Sequence, residues 1–184
     1  TFTSDDLTIS QKALTVTADA KSKTYGDSDP TLTYTTDGLV GTDSLSGSLD
    51  RATGEDVDTY AINQGTLGNS NYDITFNSAD LTIGAKALTV TAAAKTKVYD
   101  SNDPALTYSS IGLKSGDSIT GDLARATGEN VGTYVINQGS ITAGSNYTIS
   151  FTSADLTITA KPLAVTAAAK TKVYDSNDPA LTYS

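Results

Sequence analysis

Apolar and polar residues alternate with a period of two through much of the chain. Leu14, Val16 and Ala18 alternate with Thr15 and Thr17, and Leu88, Val90 and Ala92 repeat the pattern. Tyr72, Ile74 and Phe76 alternate with Asp73, Thr75 and Asn77, and Tyr147, Ile149 and Phe151 do the same. Successive side chains of a strand point to opposite faces, so each set marks one face of a half-buried strand. The apolar parity flips from even at Tyr72–Phe76 to odd at Leu81 and Ile83. Asn77-Ser78-Ala79-Asp80 lies at the flip and predicts a β-hairpin with a tight turn. Further strands are expected at 31–36, 45–51 and 58–64, with counterparts at the equivalent places later in the chain. No window holds i, i+3, i+4 apolar spacing for three turns, and Thr and Gly are spread throughout, which argues against long helices.

The chain repeats itself. Lys12-Ala13-Leu14-Thr15-Val16-Thr17-Ala18 returns from Lys86 to Ala92, and again from Lys161 to Ala167 with two changes. From Lys12 to Gly65, 34 of 54 positions are identical in the copy that runs from Lys86 to Gly139. One insertion at Ser140–Ala143 then lengthens the second copy by a single position, so that Asn71-Tyr72 aligns with Asn146-Tyr147. This predicts four segments: 1–11, the last strand of a preceding repeat; 12–85, repeat 1; 86–160, repeat 2; and 161–184, the first part of a following repeat. Self-similarity at a fixed period is the mark of a tandem array, so the chain reads as a segment of a longer protein whose partners are neighbouring repeats.

About 75 residues is near the small end for independent folding. Each repeat holds few large apolar side chains, so one compact two-layer core is expected, with neighbour contacts adding stability. The junction Leu81-Thr82-Ile83-Gly84-Ala85-Lys86 leaves about four residues between strands of different repeats, far fewer than a flexible linker uses. A semi-rigid rod of modules is the expected assembly.

Composition narrows the function. There are 184 residues with 12 basic and 21 acidic side chains, a net charge of −9, and no His, Cys, Met or Trp. The acidic balance argues against nucleic acid as a partner. No apolar run approaches the ~20 residues of a membrane-spanning helix, so membrane insertion is not expected. Lack of His and Cys removes disulfides, thiolate–zinc sites and His-based nucleophilic triads. The 31 threonines and 20 serines favour strands and turns.

The order of motifs carries a resemblance. Lys21 to Tyr34 contains Lys-x-x-x-Tyr-Gly-Asp-x-Asp-Pro-x-Leu-Thr-Tyr, followed by Gly38-Leu39 and Gly41-Thr42-Asp43-Ser44-Leu45. Val57-Asp58-Thr59-Tyr60-Ala61-Ile62, Asn71-Tyr72-Asp73-Ile74-Thr75-Phe76 and Leu81-Thr82-Ile83 complete it. Essentially the whole chain resembles the MBG repeat, with the related YDG repeats, of bacterial surface and secreted adhesins. Repeat 2 has Tyr99-Asp100 where repeat 1 has Tyr25-Gly26. The resemblance implies extracellular stalk modules at the bacterial cell surface or in the biofilm matrix, displaying an adhesive region, with polysaccharide or host glycan met through the parent protein and no catalysis. An immunoglobulin-like β-sandwich is the favoured module. Val131-Gly132-Thr133-Tyr134-Val135-Ile136 is similar to the tyrosine corner of such folds. A β-grasp-like module with a short helix around 38–46 is the alternative.

Several residues invite chemistry. Asp27, Asp29, Asp100 and Asp103 cluster before Pro30 and Pro104, where Asx-turns or a calcium ion would both use carboxylates; no EF-hand spacing is present. No other cofactor is expected. Tyr25 and Tyr99 lie beside loops, where an exposed ring would stack on a glycan; the other reading is packing. That sets a second functional class beside the stalk: a repeat that itself binds glycan, mucin or matrix polysaccharide. Glu55 and Glu129, in Arg-Ala-Thr-Gly-Glu, read as exposed partners of Arg51 and Arg125, and such pairs contribute little. Gly116-Asp117-Ser118-Ile119 resembles the start of a GDSL-type esterase motif but has no His to activate the serine. Asn146-Tyr147-Thr148 is a glycosylation sequon. Lys12 and Lys86 are candidates for an intramolecular isopeptide bond to an Asn, although nothing singles out a buried acid partner.

Overall fold

The computed structural model describes residues 5–184 and is all-β, with fourteen strands and no helix among the described residues. The strands of repeat 1 are β1 (Lys12–Ala18), β2 (Lys21–Thr24), β3 (Tyr34–Asp37), β4 (Asp50–Arg51), β5 (Thr59–Asn63), β6 (Tyr72–Asn77) and β7 (Ala79–Gly84). Those of repeat 2 follow in the same order: β8 (Lys86–Ala92), β9 (Lys95–Val98), β10 (Tyr108–Ile111), β11 (Ala124–Arg125), β12 (Gly132–Asn137), β13 (Tyr147–Thr152) and β14 (Ala154–Thr159). Every sheet draws its strands from one repeat: β3-β1-β6 and β2-β7-β5-β4, then β10-β8-β13 and β11-β12-β14-β9.

The parity flip at Ser78 is a change of sheet and not a hairpin. β6 lies in the three-stranded sheet and β7 in the four-stranded one, with Ser78 alone between them. β1 and β2 make the same transfer across Asp19-Ala20. The two segments travel together: β1 runs parallel to β6, pairing Leu14 with Ile74 and Val16 with Phe76, and β2 runs parallel to β7, pairing Lys21 with Leu81. Alternation restarts when a chain enters a new sheet, so a flip of apolar parity has two readings in sequence. Parallel pairing here joins opposite ends of the repeat, which no local turn signal announces.

Other expectations are corrected in detail. Segment 38–46 forms turns and an isolated bridge at Ser46, with no helix. The strand expected at 45–51 is only Asp50–Arg51, and that at 31–36 begins at Tyr34. The sheet orders, with a parallel pair in each sheet of repeat 1, depart from the antiparallel strand order of the immunoglobulin sandwich. Residues 5–11 form no strand, and 161–184 form only a bridge between Ala167 and Tyr183. Residues 1–4 of the expected leading strand lie outside the described residues.

Two compact units result, and their boundary does not follow the repeats. The first comprises the chain through Val90 with Ser110–Gly121 and Ser140–Phe151; the second comprises Thr91–Ser109, Asp122–Gly139 and Thr152–Ser184. The first unit holds three apolar clusters in place of the single core expected per repeat. Leu14, Val16, Leu67 and Tyr72 fill the three-stranded sheet of repeat 1. Ala18, Ile62 and Leu81, with Phe76 and Leu49, fill the transfer point between sheets. Tyr25, Ile83, Leu88, Val90 and Tyr147 form the third, which mixes both repeats within this unit. Burying a Leu or Ile side chain such as Leu14 or Ile62 contributes roughly 2 kcal/mol relative to exposure. In the second unit Ile136, Leu156 and Ile158 are fully buried on the four-stranded sheet.

Candidate functional site

Two kinds of polar construction stand out, an ion quartet found in each repeat and a tyrosine joint found once. The quartet of repeat 1 is built on β2, the loop before Pro30, and the Arg-Ala-Thr-Gly-Glu segment. Lys23 on β2 has a side chain only 4% exposed. Its Nζ donates to Asp29 at 2.6 Å and to Glu55 at 2.5 Å. Arg51 donates from Nε to the other Asp29 oxygen at 2.6 Å and from Nη2 to Glu55. Arg51 Nη1 also ties the loop by donating to the Ala52 and Gly54 carbonyls at 2.8 and 2.7 Å. The Tyr60 ring lies 5.4 Å under the guanidinium, a favourable cation–π arrangement. A Cβ on Gly54, at φ +146°, would lie 2.1 Å from that ring, so glycine is required there.

Repeat 2 reproduces the quartet within the second unit. Lys97 meets Asp103 at 2.6 Å and Glu129 at 2.5 Å; Arg125 meets Asp103 at 2.6 Å and also Glu129, over the ring of Tyr134. Arg51 and Arg125, pairing with Lys23 and Lys97, hold Asp29 and Asp103 down to about 2. The lysines are raised above their ordinary value by the same carboxylates. Charges two and two, bridged in a closed ring with a buried lysine at its base, make a clamp rather than a loose surface pair. The expectation of an exposed Arg–Glu pair therefore captured only its outer half.

This geometry bears on the candidate chemistry. Both oxygens of Asp29 and of Asp103 already accept from Lys and Arg. Asp100 pairs with Lys161 at 2.9 Å. Among the described residues no group of three or more acidic side chains is placed to hold a metal ion. Lys12 donates to the Gly38 carbonyl, and the buried lysines are Lys23 and Lys97. Amide formation between Lys and Asp needs a neutral amine and a protonated acid. The quartet shifts both groups the other way.

The joint lies in the first unit. Tyr25 is 7% exposed and packs edge-on against Tyr147, with ring centroids 5.5 Å apart at 74°. Both hydroxyls donate to Asp117 Oδ2, Tyr25 at 3.0 Å and Tyr147 at 2.5 Å. Lys114 Nζ sits 4.8 Å from the Tyr25 ring centre, and its backbone N–H donates to the Tyr147 hydroxyl at 3.0 Å. Asn146 accepts from the Val57 N–H and donates to Asp56, each at 2.8 Å. Donation from Tyr147 and then Tyr25 lowers the Asp117 carboxyl; burial, reinforced by Asp117, raises both phenols. A single residue, Ala85, separates β7 from β8 beside this cluster.

The sequence candidates lie in the following surroundings. Tyr25 is buried against Tyr147, while Tyr99 is 44% exposed. Asp117 of the esterase-like motif is a phenol acceptor, and Ser118 is exposed in a chain without His. Asn146 of the sequon has both ends of its amide engaged. The tyrosine-corner expectation holds locally: Tyr134 and Tyr60 donate to backbone carbonyls four residues upstream, Asn130 at 2.8 Å and Asp56 at 2.9 Å. Lys23 and Lys97 escaped notice in the sequence. The available signal was that Lys23, Asp29, Arg51 and Glu55 all recur unchanged in repeat 2, as Lys97, Asp103, Arg125 and Glu129.

Two all-β copies of one sequence pattern, sharing an apolar cluster within the first unit, define a tandem-repeat protein. The MBG domain (YGX type) family matches the chain twice, at residues 14–82 and 88–157, and the chain belongs to that family. Both matches lie inside the expected repeats 12–85 and 86–160. The family is not an enzyme family and is consistent with an adhesin-type repeat protein. No curated protein is similar enough to the chain to count as a match. The position that distinguishes Tyr-Gly from Tyr-Asp copies is explained by backbone: Gly26 has φ +84° and Asp100 φ 69°. Glycine and aspartate are among the residues that enter this left-handed region at least cost.

Proposed function

We propose that the repeats are spacer modules of a large extracellular bacterial adhesin or biofilm-matrix protein, forming a semi-rigid stalk that displays an adhesive region. The stalk is non-catalytic, and polysaccharide or host glycan is met by the parent's adhesive region. The observation that carries this reading is the burial of Tyr25 of repeat 1 against Tyr147 and Asp117 of repeat 2, beside a one-residue connection. A joint that is packed, hydrogen-bonded and short resists bending in a way that a Gly/Ser tether does not. The ion quartets tie loops to sheet edges in each repeat, and the net charge of −9 opposes misassociation of near-identical neighbours.

Small-angle scattering on chains with increasing numbers of repeats tests it. The maximum dimension is expected to grow in proportion to repeat number. A dimension that levels off as repeats are added overturns the spacer reading.

A further inference from the structure

The first two and last two strands of repeat 1 travel as a pair. Lys12 to Thr17 lie beside Tyr72 to Asn77 in the three-stranded sheet, and Lys21 to Thr24 lie beside Leu81 to Gly84 in the four-stranded one, both parallel. Every partner stands sixty positions later in the chain, so the register is unbroken across the transfer between sheets. Backbone bonds close this ribbon at each end. The Lys12 N–H donates to the Asn71 carbonyl at 2.9 Å, and the Tyr25 N–H donates to the Gly84 carbonyl at 2.8 Å. The Asn77 amide donates across the ribbon to the Thr17 hydroxyl at 3.1 Å. Its inner face belongs to the core, with Leu14, Val16, Leu81 and Ile83 at most 1% exposed. The chain thus enters the repeat at the start of one side of the ribbon, Lys12, and leaves at the end of the other, Gly84.

We infer that this ribbon is a mechanical clamp: tension along the chain slides β1 and β2 against β6 and β7, so that their backbone bonds must yield together. Pulling Lys12 backward and Gly84 forward draws two parallel neighbours in opposite directions along their own axis. The evenly spaced bonds of a parallel ladder then share the force. A ladder pulled apart from one end yields one bond at a time. A slip of one position would also carry Leu14 and Val16 off the core face. Lys23 anchors β2 through Asp29 and Glu55. Forced unfolding follows the rate of unfolding and not equilibrium stability, so the direction of pull matters where the melting temperature does not change. In repeat 2, β9 lies parallel to β14 in the same way, with Lys95 beside Leu156. The clamp deepens the spacer reading and rests on it for its use in a stalk; the resistance itself belongs to one repeat.

Single-molecule pulling of the whole chain tests it. The chain has no cysteine, so two introduced ones set the direction of force. Ser10→Cys with Ala85→Cys slides the ribbon; Ser10→Cys with Ser70→Cys pulls the starts of β1 and β6 apart and peels it. All three positions are exposed, and calorimetry checks that both forms keep the wild-type melting temperature. The sliding form is expected to break at a force at least ~2-fold higher than the peeling form. It should release about 250 Å of chain in one event, the extended reach of the residues between its handles. Equal forces, or a sliding form that breaks at the lower force, overturn the clamp. So does a sliding form that lengthens in small steps with no single rupture. A lost force ratio leaves linear growth in scattering untouched, and a dimension that levels off leaves the ratio untouched, so clamp and spacer fail separately.

Discussion

Tyr25 and Tyr99 occupy the same place in their repeats, follow the same kind of strand, and precede a residue in the same left-handed conformation. One is 7% exposed in a core and the other 44% exposed in solvent. Their local sequences cannot explain this, because they are nearly the same. The difference is that residues 110–121 and 140–151 supply Asp117, Tyr147 and Lys114 around Tyr25. The lesson is that a tyrosine in a tandem repeat has no fixed burial of its own. What lies next in the array determines it, whereas the quartets, built inside each repeat, come out alike in both.

The largest expected effect follows directly. Tyr25→Ala removes a buried ring and two of its polar contacts and should lower the melting temperature by about 10 °C, against about 2 °C or less for Tyr99→Ala. Equal shifts in a calorimetric scan would break the comparison.

Removing the buried cation should hurt both repeats alike. Lys23→Met or Lys97→Met leaves Asp29 or Asp103 with its arginine alone, and each should lower the melting temperature by about 5 °C. A large effect at one lysine and none at the other, by the same scan, would show that the quartets are not equivalent.

Acid should act on both regions through carboxylates. Asp29 and Asp103 are held at about 2 in the folded protein, against an ordinary 3.8. Their stabilisation is therefore complete above the ordinary value and is lost as pH falls from about 4 toward 2. Asp117, also lowered, adds loss in the same direction at the joint. The phenols of Tyr25 and Tyr147 are raised, so their contribution is present below about 10 and is lost as pH rises through their folded values. Urea unfolding from pH 2 to 11 should show declines at both ends. Asp117→Asn should remove part of the acid decline and leave the part due to the quartets. An acid limb unchanged by Asp29→Asn with Asp103→Asn would sink the quartet's share.

The smallest effect belongs to the turn after each tyrosine. Gly26→Asp places in repeat 1 what repeat 2 already has, and the added Cβ would meet only the flexible Lys114 side chain, at 3.1 Å. The melting temperature should move by about 2 °C or less. A large loss would mean that the joint constrains this turn more tightly than its backbone does.

Much of the fold was legible in the residues because its causes are local. Leu14, Val16 and Ala18 announce a strand by alternation, and their return at Leu88, Val90 and Ala92 announces a second copy. Strand lengths and the bridge at Ser46 were less legible, since Gly and Ser in segment 38–48 suit several turn conformations. Of the candidate site, Arg51 and Glu55 were visible as a pair because they are four residues apart. Lys23 and Asp29 were not linked to them, since β2 and the Arg51 loop are brought together only through β7 and β5.

By itself, the order of residues determined that this chain is a β-protein made of two near-identical repeats of the MBG family, because period-two alternation and self-similarity act over short distances along the chain. Only the tertiary structure decided that Ser78 marks a passage between sheets, that Lys23 lies at the base of a charged ring, and that Tyr25 belongs to a core drawn from both repeats. Each of these depends on which segments pack together across dozens of residues, and burial is a property of the assembled neighbours rather than of the side chain alone.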